Sequence, residues 1–163
     1  MGVIKDKGLV LREWADAESN KRLVLLTENQ GKISVFARGA KGAKSKLAIS
    51  KLSYSELVLF DGGSFLSLSQ TCPIKTFNNI PSHYEAYCTA AFFLELLDKT
   101  IMAKMQTKDA IKLILKAFNH LDCHPEKHKT IFAAFIFKFL QSEGISPFVE
   151  SCYNCHEEST SFF

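Results

Sequence analysis

The sequence predicts an α+β fold, with an all-β barrel domain over residues 1–79 and an α-helical bundle domain over 80–163. Three observations predict it. Up to about residue 77 the apolar residues fall in short runs, some alternating with period two, divided by polar turns bearing Gly and Asn. From residue 80 the apolar spacing turns helical, and Pro81 and Pro125 stand where helices open. The change of period lies at 78–80, and no internal repeat or low-complexity tract crosses it.

Each strand has its own boundary signals. "GLVLREWA" (8–15) and "KRLVLLTE" (21–28) flank the polar turn "DAESN". "NQG" (29–31) has the chemistry of a tight hairpin. "KISVFAR" (32–38) alternates, with Ile33, Val35 and Ala37 on one face and Ser34, Phe36 and Arg38 on the other. "YSELVLF" (54–60), the turn "DGG" and "FLSLSQ" (65–70) form a further hairpin. Five short strands with a long connection after the third match the order of an OB-fold, a small barrel that commonly binds single strands. An SH3-like barrel has the same number of strands, so both architectures remain open here.

The helical half divides in three. "SHYEAYCTAAFFLELLDKTIMAK" (82–104) runs without a breaker. Thr107 suits an N-cap, with Asp109 near the positive end of the helix dipole, and Ile111, Ile114, Leu115 and Phe118 form the stripe behind it. Pro125 opens the third helix. Ile131, Phe132, Phe135, Ile136, Phe139 and Leu140 make that helix apolar over most of its girth, which predicts a place near the centre of the bundle, and Gly144 ends it.

Charge is where function enters. The net charge is only +3, yet no acid occurs between Glu28 and Glu56, while that interval holds six basic residues. The rest of the chain carries fourteen basic residues against seventeen acidic, so the positive charge is local. Its densest part is "FARGAKGAKSKL" (36–47), a basic connector between the third and fourth strands. It is not a P-loop, because Ala43 rather than a glycine precedes Lys44. "GAKG" follows a strand, whereas the GXXG of a KH domain joins two helices. What remains is attraction to a phosphate backbone with release of counterions, or a solvated loop that protects a strand edge. The candidate phosphate-binding residues are Arg12, Lys32, Arg38, Lys41, Lys44 and Lys46, with Trp14, Phe36 and Tyr54 as aromatics able either to stack bases or to fill the barrel. On the second helix Lys108, Lys112 and Lys116 recur four apart, a stripe bordering the apolar positions.

The cysteines exclude more than they establish. "CYNC" at 152–155 follows a loop rather than a βαβ strand, which argues against a thioredoxin-type dithiol. As zinc ligands, Cys152 and Cys155 are half of a four-cysteine site. Cys72, Cys88 and Cys123 are scattered, with Cys88 expected to be buried on its helix, and Cys123, His124 and His128 form a weak metal candidate. Without a clustered Asp/Glu/His motif, a metal-dependent hydrolase has little support, and the chain reads as a non-enzyme. No apolar run reaches the roughly 18–20 residues of a membrane span, and the charged start "MGVIKDKGLV" lacks the core of a signal peptide. A cytoplasmic location is the expectation.

Taken together, these stretches resemble the RecO family of bacterial recombination mediators. "GLVLREWADAESNKRLVLLTENQGKISVFARGAKGAKSKLA" is similar to that family's N-terminal barrel, "AAFFLELLD" to its first long helix, and "GISPFVESCYNC" to its G-x-x-P…C-x-x-C passage. Lys41-Gly42 stands where many members carry two basic residues, and the second C-x-x-C is missing, so the chain resembles a member cut within its zinc module. The resemblance implies an OB-fold, a helical domain and, in many members, zinc. It also implies binding of single- and double-stranded DNA, strand annealing, and work with RecR to load RecA onto strands coated by single-strand-binding protein. That last protein ends in an acidic tail with apolar terminal residues, for which the lysine stripe is a candidate site. An RNA-binding barrel would use the same charge logic and is the alternative.

Overall fold

Strands β1 (Gly2–Ala15), β2 (Lys21–Thr27), β3 (Gly31–Ala37), β4 (Ser53–Asp61) and β5 (Leu66–Thr76) close into a barrel in the order β1-β2-β3-β5-β4. The computed structural model describes residues 2–15, 20–38, 49–103 and 105–145. All strand pairs are antiparallel except β3–β5, which run parallel through Val35–Leu66 and Phe36–Ser67. This closed five-stranded order is that of the OB-fold, which decides between the two barrels left open by strand count.

Closure depends on β1, which is longer than the expected stretch 8–15 and begins at Gly2 rather than Gly8. Its first half pairs with β4 and its second half with β2, and both pairings overlap at Gly8 and Leu9. A Cβ at Gly8 would lie 2.3 Å from the Leu26 carbonyl oxygen, so only glycine permits this approach. Asp6 explains why the first half is hard to recognise. Its carboxylate is buried and accepts hydrogen bonds from the amides of Asn29 (3.1 Å), Gln30 (3.0 Å) and Lys7 (2.7 Å) and from Asn29 Nδ2 (2.9 Å). It thereby caps the β2–β3 turn, whose exit residue Gly31 has φ +73°, a left-handed conformation that suits glycine. β5 likewise continues past residue 70 to Thr76 along β4.

Two apolar clusters hold the described residues together. Val10, Leu23, Leu25, Val35, Ala37, Leu57, Leu59 and Leu68 fill the barrel. Leu9, Leu11, Val24 and Leu26 point the other way and join the helices in a second cluster. β2 is therefore apolar on both faces, which is why "LVLL" does not alternate. Burying each such side chain contributes roughly 1.5–3 kcal/mol. The barrel half and the helical half are thus distinct along the chain but share a core.

A 3-10 turn (Ile80–Ser82) leads into α1 (Tyr84–Thr100); α2 (Lys108–Cys123), a second 3-10 turn (Pro125–Lys127) and α3 (His128–Ser142) follow. Helix α1 stops four residues before the expected Lys104. Ile101 turns extended and buried, and Ala103 forms a parallel bridge with Lys32 of β3. Thr107 stands at the N-cap of α2, but its hydroxyl donates to the Thr27 carbonyl of β2 instead of capping its own helix. Pro125 opens the 3-10 turn, and α3 proper starts at His128. Helix α3 is also not central. Only Phe135 and Phe139 are buried, against α1 and α2, while Phe132 and both alanines at 133 and 134 are exposed. Its apolar girth exceeds the surface its neighbours cover among the described residues.

Candidate nucleic-acid interface

On the outer face of the barrel, residues from β1, β2 and β3 line up by register. Trp14 pairs with Arg22, Arg22 with Phe36, and Phe36 with Ser67 of β5. Cross-strand partners share a face, so the alternation that buries Val35 and Ala37 inside turns Phe36 outside. The Arg22 guanidinium lies 4.5 Å from the Phe36 ring centroid. Phe65, from the β4–β5 turn, meets Phe36 edge-on at 5.5 Å and 74°. Arg38 lies 5.9 Å from Phe65, and Arg12 5.2 Å from Trp14.

The result is a strip from Arg12 to Arg38 in which three arginines are interleaved with Trp14 and the touching pair Phe36–Phe65. Trp14 is 39% exposed and Phe65 45%. The positive charge of such a strip attracts phosphates, and exposed aromatic faces accept stacked bases of any sequence. The strip lies on the β2–β3 face and beside the β1–β2 and β4–β5 connections, the region OB-folds use for oligonucleotides.

The other expected residues divide. Lys41, Lys44 and Lys46 lie outside the described residues; the connector leaves the barrel at Arg38, in the strip. Lys32 faces elsewhere. Its ammonium donates to the Asp98 carbonyl at 2.6 Å and sits 3.7 Å from the Asp98 carboxylate, so it ties β3 to α1 instead of facing solvent. Arg12 is shared, since its Nε also lies 3.2 Å from Asp98 Oδ2 while most of its side chain is exposed. Tyr54 is no stacking platform. It packs on the helix-facing cluster, and its hydroxyl donates to Glu28 at 2.6 Å. Burial, then that hydrogen bond and the Glu28 charge, hold its phenol protonated well above the ordinary range. Arg22 and Phe65 were not among the expected residues. The hairpin register, which sets Arg22 opposite Trp14, was the available signal.

A second feature lies between α2 and α3. Lys112, Lys116 and His120 of α2 and Lys138 of α3 rim a groove of about 390 Å³ whose floor includes Leu113, Ile131 and Phe135. Lys108 is not part of its lining, and Lys112 is 3.2 Å from Asp109. Cys152 and Cys155 lie outside the described residues. Two thiolates supply half a tetrahedral zinc set, and among the described residues no three His, Cys, Asp or Glu side chains converge. Cys88 is exposed, not buried, because it lies on the α1 face opposite Ala86, Ala90 and Phe93. No helix among the described residues is long and apolar enough to cross a membrane.

Comparison with known proteins agrees with this architecture. The family models described as recombination protein O N terminal and C terminal match residues 1–77 and 81–163. The DNA repair protein RecO of Alkaliphilus metalliredigens is 34% identical over 161 residues, covering 97% of this chain and 65% of the relative. That of Bacillus pumilus is 32% identical over 98% of this chain and 63% of its own length, and that of Acetivibrio thermocellus 28% over 95% and 62%. The chain therefore spans less than two thirds of the length of these relatives. With both halves matched in order by the two models of one family, the chain belongs to the recombination protein O (RecO) family.

Proposed function

We propose that this chain is a non-catalytic, DNA-binding part of a recombination mediator in DNA repair, and that it holds single strands on the outer face of its barrel. The observation that carries the reading is the strip Trp14–Arg22–Phe36–Phe65 with Arg12 and Arg38 at its ends. Rings stack the bases, arginines meet the phosphates, and the basic connector that leaves at Arg38 adds Lys41, Lys44 and Lys46 along the backbone. Stacking needs unpaired bases, so duplex is held more weakly, through phosphates alone. The names of the relatives support repair as the setting.

Annealing follows from the same surface: a strand bound through its backbone and one face of its bases can still be searched by a complementary strand. Delivery of RecA with RecR, and recognition of single-strand-binding protein, are the partner roles the family resemblance suggests. No step of this reading passes through a metal.

Matched single-stranded DNA, single-stranded RNA and duplex DNA, titrated by fluorescence anisotropy against the wild type and Phe36→Ala, test it. Single-stranded DNA should bind tightest, and Phe36→Ala should weaken it roughly tenfold, the scale of one stacked base. Tighter binding of RNA would transfer the site to the RNA-binding alternative. Equal affinity for wild type and Phe36→Ala would overturn the strip as the interface.

A further inference from the structure

We propose that the cleft between α1 and the barrel is a further subsite, which takes one unpaired base and its phosphate from a single strand that has crossed the barrel face. This rests on the nucleic-acid reading above and extends it onto the helical half.

The cleft has a volume of about 310 Å³. That is at the lower end of the roughly 300–1,000 Å³ of small-ligand sites, suited to one nucleotide and too small for a helix of a partner protein. Its floor is apolar, built from Leu11 of β1, Leu52 ahead of β4, and Ala91 and Leu94 of α1. Tyr87, one helical turn before Ala91, stands at the rim 47% exposed. An aromatic ring over an aliphatic floor offers a base two apolar surfaces.

The charges favour an anion. Both acids in the lining are already matched: Asp98 by Arg12 at 3.2 Å and Lys32 at 3.7 Å, and Glu95 by Lys99 at 2.6 Å. Lys51, also in the lining, pairs with no acid among the described residues. A phosphate entering here meets Lys51 and the exposed donors of Arg12, while a cation finds its partners taken. Arg12 also supplies continuity, because it lies over the Trp14 ring and lines the cleft as well. The chain returns from the basic connector at Ile49, two residues before Lys51. A strand can therefore pass from Phe36 and Trp14, by way of Arg12, to Tyr87.

Oligodeoxynucleotides at the two ends of the roughly 4–16 nucleotide range of OB-fold sites separate this subsite from the strip. With the full chain, Tyr87→Ala should weaken the longer oligonucleotide roughly tenfold and leave the shorter unchanged, while Tyr87→Phe restores affinity. Lys51→Ala should lower the log-log salt slope for the longer strand by roughly 0.7. In wild type, a photoreactive base at one end of the longer strand should crosslink to the Tyr87 peptide, a readout that needs no variant to fold. Unchanged long-strand affinity in Tyr87→Ala and Lys51→Ala, beside a loss at both lengths in Phe36→Ala, would overturn this subsite and leave the strip standing. Equal losses at both lengths in Tyr87→Ala would also overturn it. Unchanged binding in Phe36→Ala would instead remove the barrel reading itself.

Discussion

Lys32 of β3 and Asp98 of α1, 66 residues apart, are joined twice: the ammonium donates to the Asp98 main-chain carbonyl at 2.6 Å and lies 3.7 Å from its carboxylate. Arg12 reaches the same carboxylate from β1. One acid thus gathers two basic residues of the barrel onto the end of the first helix. Both side chains of the Lys32–Asp98 pair are largely covered, which distinguishes it from an exposed ion pair of small worth. Asp98→Ala should lower unfolding stability by about 1–3 kcal/mol, the range for losing a hydrogen-bonded charge, as a fall in the urea midpoint. Lys32→Ala should lower it similarly and leave the salt slope of single-strand binding unchanged. A reduced slope in Lys32→Ala would return this lysine to the phosphate-binding set.

Tyr54 supplies a pH dependence of known sign. Burial first, then its hydrogen bond to Glu28, raises the folded phenol above its ordinary value. Below a pH of about 10, the unperturbed tyrosine value, the phenol is protonated in folded and unfolded chains alike and its stabilising hydrogen bond is fully present. Above that, the unfolded chain ionises first, so stability falls as pH rises toward the folded value. Denaturant midpoints measured across the alkaline range should therefore decline less steeply in Tyr54→Phe than in wild type. Parallel declines would show that the Glu28–Tyr54 pair does not set the alkaline limit.

The apolar run of β2, the alternation of β3 and the turn residues made β2, β3 and both hairpins readable, because in those segments local chemistry and the fold agree. The first half of β1 was not readable. Its inward position at residue 6 is a carboxylate, and only the amides of Asn29 and Gln30, brought in by the tertiary fold, make it a buried residue. The candidate site was half readable for a similar reason. A basic patch is visible as composition, but whether a lysine faces solvent or a distant acid is not, and Lys32 belongs to the second kind. Arg22 sits outside the acid-free interval and joins the strip through strand register alone. Helix α3 shows the limit of girth as a guide. Apolar positions around a helix show what it can bury, and the neighbouring elements decide how much of it is covered.

The basic connector carries a prediction that depends on charge alone. Lys41, Lys44 and Lys46 follow soon after Arg38, the last cation of the strip. If each meets a phosphate, changing all three to Ala should flatten the log-log salt dependence of single-strand binding by roughly 0.7 for every phosphate left without its lysine. Affinity should fall similarly for all sequences, since these lysines read no bases. An unchanged slope would make the connector a solvated loop.

The groove between α2 and α3 carries the last. A partner tail that is acidic and ends in apolar residues needs cations at a rim and an apolar slot, and here Lys112, Lys116 and Lys138 stand around Leu113, Ile131 and Phe135. Because α3 contributes Lys138, the lysines oppose one another across the slot instead of forming a single stripe. Charge reversal by Lys112→Glu or Lys138→Glu should weaken such a tail peptide roughly three- to tenfold, the scale of an exposed pair exchanged for a repulsion. Lys108→Glu should not, because Lys108 lies outside the groove lining. Single-strand binding should stay nearly intact in all three variants, since it is assigned to the barrel. Peptide and oligonucleotide titrated separately decide the matter: equal peptide affinity in wild type, Lys112→Glu and Lys138→Glu would make the groove ordinary solvated surface, and parallel losses of peptide and DNA would merge the two sites into one.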